Sequence, residues 1–184
     1  MRIRDGSNWL TAQQLRALAH GQFDPRMIMQ FDANRGGQAT DILWSTSLYP
    51  FFIANRLIML LRENTITGWT TYPVELFDRK GERLDDYYGL AVTGPECDFD
   101  PNRSKIVAKP PPVPQGRGYQ VHRGLYFDES QWDGSDMFWV RNVDIVVTER
   151  VFRLLKQHKI VNVRLTPLDE VEVRTSDIPL ILRI

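Results

Sequence analysis

The sequence matches itself without a gap when it is shifted by 94 residues, and this internal repeat constrains the fold more than any other feature. Residues 53–74 read IANRLIMLLRENTITGWTTYPV, and residues 147–168 read VTERVFRLLKQHKIVNVRLTPL. The identical pairs are Arg56/Arg150, Leu60/Leu154, Leu61/Leu155, Ile66/Ile160 and Pro73/Pro167. Because a solenoid needs more copies than two, we interpret the repeat as a duplicated module inside one domain.

Each copy begins with the apolar spacing of an amphipathic helix. The positions on this stripe are Ile53, Leu57, Leu60 and Leu61 in the first copy, and Val147, Val151, Leu154 and Leu155 in the second. Thr148 is a good N-cap, which predicts a helix over residues 149–158. Ala54 is a poor cap, so the first helix is expected to begin earlier, with Pro50 as its first residue.

After each helix comes a short apolar or β-branched stretch that ends at a proline, which predicts strands over residues 65–72 and 160–166. Each copy therefore reads as a helix, a turn and a strand. The rest of the chain favours further strands, among them a last one over residues 178–184. The proline-rich segment 109–118, KPPPVPQGRG, excludes helix and inner strand. We expect an α+β fold with mainly antiparallel strands and two principal helices in the duplicated helix-turn-strand units.

Length and composition indicate a globular chain with a core, because 184 residues include 42% apolar residues and five tryptophans. Residues 1–47 are expected to form an N-terminal extension with a short helix over 11–20. Residues 48–184 are expected to form a single α+β domain that holds the duplication. The most apolar run, residues 48–61, is interrupted by Asn55 and Arg56 and is too short to span a bilayer.

Charge and cysteine content exclude several classes of partner and site. The 23 basic residues balance the 23 acidic ones, so no global field attracts nucleic acid or an acidic membrane. The single cysteine, Cys97, excludes an intramolecular disulfide and any metal site built from several cysteines. The N-terminus lacks the apolar stretch of a signal peptide. We expect a soluble cytoplasmic protein that binds neither nucleic acid nor membrane.

The search for catalytic and cofactor motifs finds none. Cys97 lies between acidic residues, which raise the pKa of a thiol and weaken it as a nucleophile. His20, His122 and His158 show no metal-ligand spacing, and no phosphate-binding or nucleophile-elbow motif is present. The sequence therefore predicts no catalytic residue, metal or cofactor. The enzymatic alternative is a site assembled from distant residues such as Cys97, His122 and nearby carboxylates.

Two charged surfaces are candidates for contact with a partner. Arg150, Arg153 and Lys156 follow the outer side of the second helix, and we interpret them as a solvated helix face rather than a nucleic-acid site. Residues 127–136, FDESQWDGSD, place a tryptophan among four carboxylates, which is typical of an acidic surface loop. They also form the best candidate contact with a basic protein, because an aromatic anchor combines with electrostatic steering. The predicted contact residues are Asp128, Glu129, Trp132, Asp133 and Asp136.

Several segments between residues 48 and 168 resemble a known family. They are LYPFFIANRLIMLL at 48–61, PVELF at 73–77, YYGLAV at 87–92, CDFDPNRSKI at 97–106, and FWVRNVDIVVTERVFRLLKQHKIVNVRLTPL at 138–168. These segments resemble a bacterial immunity-protein family of polymorphic toxin systems, of the myxobacterial type and formerly catalogued as a domain of unknown function. The resemblance covers about two-thirds of the chain.

The resemblance implies a non-enzymatic protein that binds a cognate toxin and silences it in the producing cell. Myxobacterial relatives carry a CxxCG pair of the metal-ribbon type, but this chain has only Cys97, so zinc is not carried over. A structural or regulatory interaction module unconnected with toxins remains a further alternative. The repeated positions are apolar residues, a turn, a proline and the Arg56/Arg150 pair, which we expect to brace each copy. Recognition is therefore expected in the unrepeated loops.

Overall fold

The computed structural model describes residues 2–3, 10–24, 28–33, 39–45, 50–141 and 143–177. The predicted last strand over residues 178–184 lies outside them. The first elements along the chain are β1 Arg2–Ile3, α1 Ala12–Ala19, β2 Met29–Asp32, β3 Ile42–Trp44, β4 Phe51–Ala54, α2 Asn55–Glu63, β5 Trp69–Phe77 and β6 Arg83–Leu84. The following ones are β7 Tyr87–Val92, β8 Glu96–Cys97, β9 Lys105–Lys109, β10 Tyr119–Arg123, β11 Met137–Val140, β12 Asp144–Val147, α3 Glu149–Gln157 and β13 Glu172–Arg174.

The predicted α+β class is confirmed, with short helices and mostly antiparallel strands. The largest sheet has the order β1-β2-β5-β7-β4-β3, and β6 also pairs with β5. The pairing of β2 with β5 is parallel, whereas the other pairs described in this sheet are antiparallel. None of the helices among the described residues has the length and apolar character needed to cross a membrane.

The chain divides into two compact units, and each is formed from two separate stretches of sequence. The first contains residues 1–96 and 132–163, and the second contains residues 97–131 and 164–184. These units do not follow the boundary that the sequence predicts between residues 47 and 48. The elements α1, β2 and β3 all belong to the first unit.

The core of the first unit includes side chains that come before residue 48. Leu18 of α1 and Phe31 of β2 are buried in the same cluster as Phe52 of β4 and Leu76 of β5. The predicted short N-terminal helix is confirmed as α1, and Thr11 is its N-cap. The Thr11 hydroxyl accepts a hydrogen bond from the Gln14 amide, and the Gln14 side chain accepts one from the Thr11 amide.

The two principal helices begin at equivalent residues of the repeat. Helix α3, Glu149–Gln157, confirms the prediction over 149–158. Thr148 occupies the N-cap position, but its side chain accepts no capping hydrogen bond and its hydroxyl donates to Asp136 instead. Helix α2 begins at Asn55, so the predicted start at Pro50 is wrong. Residues 51–54 form β4, which pairs with β3 on one side and β7 on the other. A strand that is paired on both sides and buried has a continuous run of apolar residues, and this pattern alone does not distinguish it from a buried helix.

The turn after each helix is the same, but the next segment differs. Thr65 and Lys159 have φ of 49° and 51°. The amides of Ile66 and Ile160 donate to the carbonyls of Leu61 and Leu155, each at 3.0 Å. After α2 the chain continues into β5. After α3 it forms no strand over the described residues 160–166, so the predicted second strand is wrong.

The second unit contains an antiparallel sheet of order β13-β10-β9. Val121 of β10 and Val173 of β13 are buried, together with Leu125. Residues 110–118 between β9 and β10 form neither helix nor strand, as the prolines predict. An ion pair of 2.7 Å joins Lys109 of β9 to Glu172 of β13.

Candidate functional site

The five predicted contact residues are divided between the two units. Asp128 and Glu129 belong to the second unit, whereas Trp132, Asp133 and Asp136 belong to the first. The boundary between the two units lies between Gln131 and Trp132.

In the second unit, both predicted acidic residues are exposed and have local partners. The Asp128 carboxylate accepts hydrogen bonds from the hydroxyl and the amide of Ser130, at 2.7 and 3.0 Å. These two bonds hold the pKa of Asp128 below its ordinary value. Glu129 pairs with Arg103 at 3.3 Å. The Arg103 guanidinium also lies over the Tyr126 ring, 4.8 Å from its centroid.

In the first unit, Trp132 is a fixed and partly exposed aromatic side chain. It is 37% exposed. Its indole N–H donates to the Ser135 carbonyl at 2.9 Å, and its ring centroid lies 5.7 Å from that of Phe138. The Asp133 carboxylate accepts from the Ser135 amide at 2.9 Å, and Gly134 supplies a φ of 87°. The turn therefore holds the indole in one orientation.

Asp136 is buried and occupied by partners within the first unit, with only 7% exposure. Its Oδ2 accepts from the amide and the hydroxyl of Thr67, at 3.1 and 3.3 Å. Its Oδ1 accepts from the Thr148 hydroxyl at 2.7 Å. Arg150 completes the network with an ion pair of 3.4 Å. The carboxylate therefore anchors the end of the loop to the scaffold.

Asp41 is the centre of a matching network. It is 8% exposed. Its carboxylate accepts from the Val161 amide at 3.1 Å and from Arg56 at 3.0 Å. Its carbonyl accepts from the Ala54 amide at 2.9 Å, just as the Asp136 carbonyl accepts from the Thr148 amide at 3.0 Å. The donors of the two networks correspond at the repeat distance of 94 residues: Ala54/Thr148, Arg56/Arg150 and Thr67/Val161.

The shared arginines also cross from one helix to the other. Arg56 donates to the carbonyl of His158, the C-cap of α3, at 2.7 Å. Arg150 donates to the carbonyl of Asn64, the C-cap of α2. Asn64 and His158 are themselves a repeat pair. Each arginine therefore joins the start of its own helix to the end of the other helix, whereas the sequence predicted a brace within each copy.

A sequence signal for both aspartates exists just before the ungapped repeat. Residues 41–44 read DILW and residues 136–139 read DMFW, at a distance of 95 rather than 94. Each tetrapeptide begins a hairpin that leads into a helix, β3–β4 before α2 and β11–β12 before α3. The ungapped comparison misses them because 12 residues separate Asp41 from Ala54, whereas 11 separate Asp136 from Thr148.

The tryptophans at the ends of these tetrapeptides have different surroundings. Trp139 is fully buried. Its indole N–H donates to the Val92 carbonyl at 2.9 Å, and its ring stacks on His20 with centroids 4.4 Å apart. Trp44 is 46% exposed and donates to the Asn162 carbonyl at 2.8 Å.

The residues of the enzymatic alternative lie in the second unit. Cys97 has no exposed surface. The Nδ1 atom of His122 is buried without a hydrogen-bond partner, and its ring lies edge-on to Phe99 at 6.0 Å. No cluster of three or more potential metal ligands occurs among the residues that the structure describes. The enzymatic alternative stays an untested hypothesis.

Two surface recesses in the first unit were not predicted from the sequence. One, of about 330 Å³, is lined by Arg62, Thr65, Ile66, Trp69, Thr70 and Thr71. The other, of about 360 Å³, has a lining that includes Leu18, Phe23, Asp24, Thr70, Tyr72 and Ala91. The first recess is lined by a single stretch of chain, residues 62–71, whereas the second combines residues 18–24 with residues of β5 and β7.

Comparison of the chain with protein-family models and with curated proteins gives no match.

Proposed function

We propose that this chain is a non-enzymatic binding protein, an immunity protein that neutralises a cognate bacterial toxin by direct stoichiometric binding. The proposal rests on the resemblance of residues 48–168 to the immunity-protein family of polymorphic toxin systems. A protein with this role would act in the cytoplasm of the toxin-producing cell, without a cofactor.

The observation that carries the proposal is the fixed indole of Trp132 beside an exposed carboxylate. A partly exposed aromatic side chain that is already ordered loses little conformational freedom when a partner covers it. Asp133, next to it, would attract a basic surface. We propose Trp132 and Asp133 as contacts in the first unit, and Asp128 and Glu129 as contacts in the second. Asp136 would support the loop, because its carboxylate is buried.

The test is co-expression with the toxin-like product of a neighbouring gene, measured by host survival and co-purification. Trp132→Ala is expected to weaken the complex by about 2 kcal/mol or more, as central aromatic anchors do. Phe152→Ala is the matched control, since Phe152 is 41% exposed in the same unit but has no carboxylate beside it in sequence.

Two outcomes would count against the proposal. Equal affinity of the Trp132→Ala and Phe152→Ala variants would remove the loop from the interface. Failure of the neighbouring product to harm the host or to co-purify would remove the immunity role, and would favour a regulatory interaction module.

We also propose that residues 41–66 and 136–160 are duplicated copies of one hairpin-helix-turn unit. The support is the paired set of contacts at Asp41 and Asp136, at Arg56 and Arg150, and in the two turns. The duplicated unit would then end at the turn, rather than at the following strand.

A further inference from the structure

Among the strands of the described residues, part of the central strand β5 has a partner on one side only. Residues Trp69–Pro73 pair with β7, whereas β2 pairs with β5 from Val74 to Phe77. No described strand covers the other edge of β5 between Trp69 and Pro73. An uncovered edge of this kind presents unpaired backbone donors and acceptors to a further strand.

The register shows which backbone groups face this open edge. Pro73 has no N–H and so cannot donate to its partner Tyr88 on β7. Gly68 lies an odd number of residues before Pro73, and its carbonyl accepts a hydrogen bond from the Thr93 amide at 2.8 Å. Neighbouring residues of an antiparallel pair alternate between bonded and non-bonded positions. The amides of Thr70 and Tyr72 therefore face β7, and the N–H and C=O groups of Trp69 and Thr71 face the open edge.

The two recesses lie on the two faces of the sheet beside this edge. Alternate side chains of a strand project to opposite faces, so Trp69 and Thr71 share one face, and Thr70 and Tyr72 share the other. The first recess combines Trp69 and Thr71 with the end of α2. The second combines Thr70 and Tyr72 with the end of α1 and residues that follow it. Both threonines line both recesses, which places the strand edge between them.

The two recesses differ in chemistry. The first contains the exposed Arg62 and Thr65 and, on the same face of β5 as Trp69, Thr71. Arg62 forms no ion pair with any residue in the described part of the chain. This lining matches a carboxylate, which a guanidinium and hydroxyl groups can bind together. The second recess includes Leu18, Phe23, Tyr72 and Ala91, which match an apolar side chain.

We infer that the open edge of β5 binds an extended peptide segment of a partner protein, which adds as a strand next to Trp69–Pro73. Successive side chains of an added strand project to opposite faces, so a carboxylate-bearing residue would occupy the Arg62 recess and its apolar neighbour the second recess. Strand addition obtains affinity from main-chain hydrogen bonds and specificity from such alternating pockets. This inference goes beyond the toxin proposal, because it does not require that the partner be a toxin.

Four of the six residues that line the Arg62 recess differ in type in the second copy, whereas Arg62 and Ile66 correspond to Lys156 and Ile160. At the repeat distance of 94 residues, the positions of Thr65, Trp69, Thr70 and Thr71 hold Lys159, Val163, Arg164 and Leu165. Residues that served only the shared scaffold would be expected to keep their type, as Ile66 does in Ile160. The recess is therefore not explained by the repeat.

The first experiment measures amide hydrogen exchange by NMR in the full chain. The amides of Thr70 and Tyr72 are expected to be protected by β7, whereas those of Trp69 and Thr71 are expected to exchange rapidly. Slow exchange at Thr71 in the free protein would show that the edge is already occupied, and would overturn the inference.

The second experiment titrates the acetylated and amidated peptide Ser-Val-Glu-Leu-Ser into the protein. Binding is expected to protect the Thr71 amide. Two N-methylated versions of the peptide separate strand addition from other kinds of binding. In one the methyl groups are on every second amide, and in the other they are on the remaining amides, and only one of these two sets faces β5 in an added strand. One should lose binding and the other should keep it. Equal behaviour of the two N-methylated peptides, or no binding of the parent peptide, would overturn the inference.

Protein variants test the carboxylate recess. Arg62→Gln is expected to weaken binding of the glutamate peptide about fivefold, the equivalent of one exposed ion pair. The variant should bind the glutamate peptide and a peptide with lysine in place of glutamate with equal affinity. Arg79→Gln, an exposed arginine outside the residues lining this recess, is the matched control and should keep full affinity. Equal affinity of the two variants would overturn the role of Arg62. The Trp132→Ala variant should still bind the peptide, so the two proposals can fail independently.

Discussion

Asp41 and Asp136 are buried carboxylates of the first unit. Burying a carboxylate costs free energy unless hydrogen bonds and a counter-charge replace the lost water. At both positions a backbone amide and an arginine supply that replacement. Because these partners come from distant parts of the chain, substitution of either aspartate would disturb the scaffold. A loss of binding in an Asp136 variant would therefore not identify Asp136 as a contact.

His20 is a residue from which a pH dependence of stability follows. Burial lowers the pKa of its imidazole below the ordinary 6.5, and the nearby Arg16 adds to this effect against Glu96. The unfolded state then binds more protons than the folded state as the pH falls below that value. The stability from neutral His20 is fully present above pH 6.5 and is lost as the pH falls through the lower, folded-state pKa.

We expect the His20→Phe variant to lose less stability than the wild type when the pH is lowered from 7.5 to 5. Phenylalanine keeps an aromatic ring against Trp139 but has no group that can be protonated. The measurement is urea denaturation at several pH values. The control is His158→Phe, which changes an exposed histidine at the end of α3. Parallel pH profiles for His20→Phe and the wild type would show that His20 does not contribute to the pH dependence.

At the scale of elements, the crossed arginines predict a shared energetic role. Arg56→Gln and Arg150→Gln are each expected to lower the free energy of unfolding by about 1–2 kcal/mol, because each removes charged hydrogen bonds to a buried carboxylate and to a helix end. Arg56→Gln should cost at least as much as Arg150→Gln, since Asp136 keeps the hydroxyls of Thr67 and Thr148 as donors. Denaturant unfolding of the full chain measures both values.

Arg153→Gln is the matched control for these helix variants. Arg153 is on the same helix as Arg150 and pairs at 2.7 Å with Glu149 in an exposed i,i+4 geometry, which is worth about 0.5 kcal/mol or less. If Arg150→Gln costs no more than Arg153→Gln, the brace contributes nothing measurable. The proposal that the two networks are equivalent would then lose its energetic support.

The helices and turns were predictable because apolar residues such as Leu57, Leu60 and Val151 recur with the 3.6-residue period of a helix. The strand over residues 160–166 was not excluded by its composition. It fails to form because the Val161 amide donates to the Asp41 carboxylate instead of a neighbouring strand, and because Asn162 has a φ of 64°. Both causes depend on residues or conformations that a local pattern does not specify.

At the scale of the whole molecule, the candidate sites were less predictable than the fold. The exposure of Trp132 was predictable from the acidic residues next to it in sequence. The burial of Asp136 was not, because it depends on Thr67 and Arg150, which are distant along the chain. The open edge of β5 depends on where β2 begins its pairing, with Met29 opposite Val74. Sequence periodicity indicates that a strand exists, but it does not indicate which strand lies beside it.

The arrangement of the first unit predicts that residues 48–184 do not fold alone. This fragment lacks α1, β2 and β3, and with them the fully buried Leu18 and Phe31 and the Asp41 partner of Arg56. Loss of two such core side chains costs about 5 kcal/mol or more, a large part of the roughly 5–15 kcal/mol that stabilises an ordinary domain. Circular dichroism during heating should show a cooperative transition for the full chain and none for the fragment. A cooperative transition of the fragment within a few degrees of the full chain would instead support residues 1–47 as a peripheral extension.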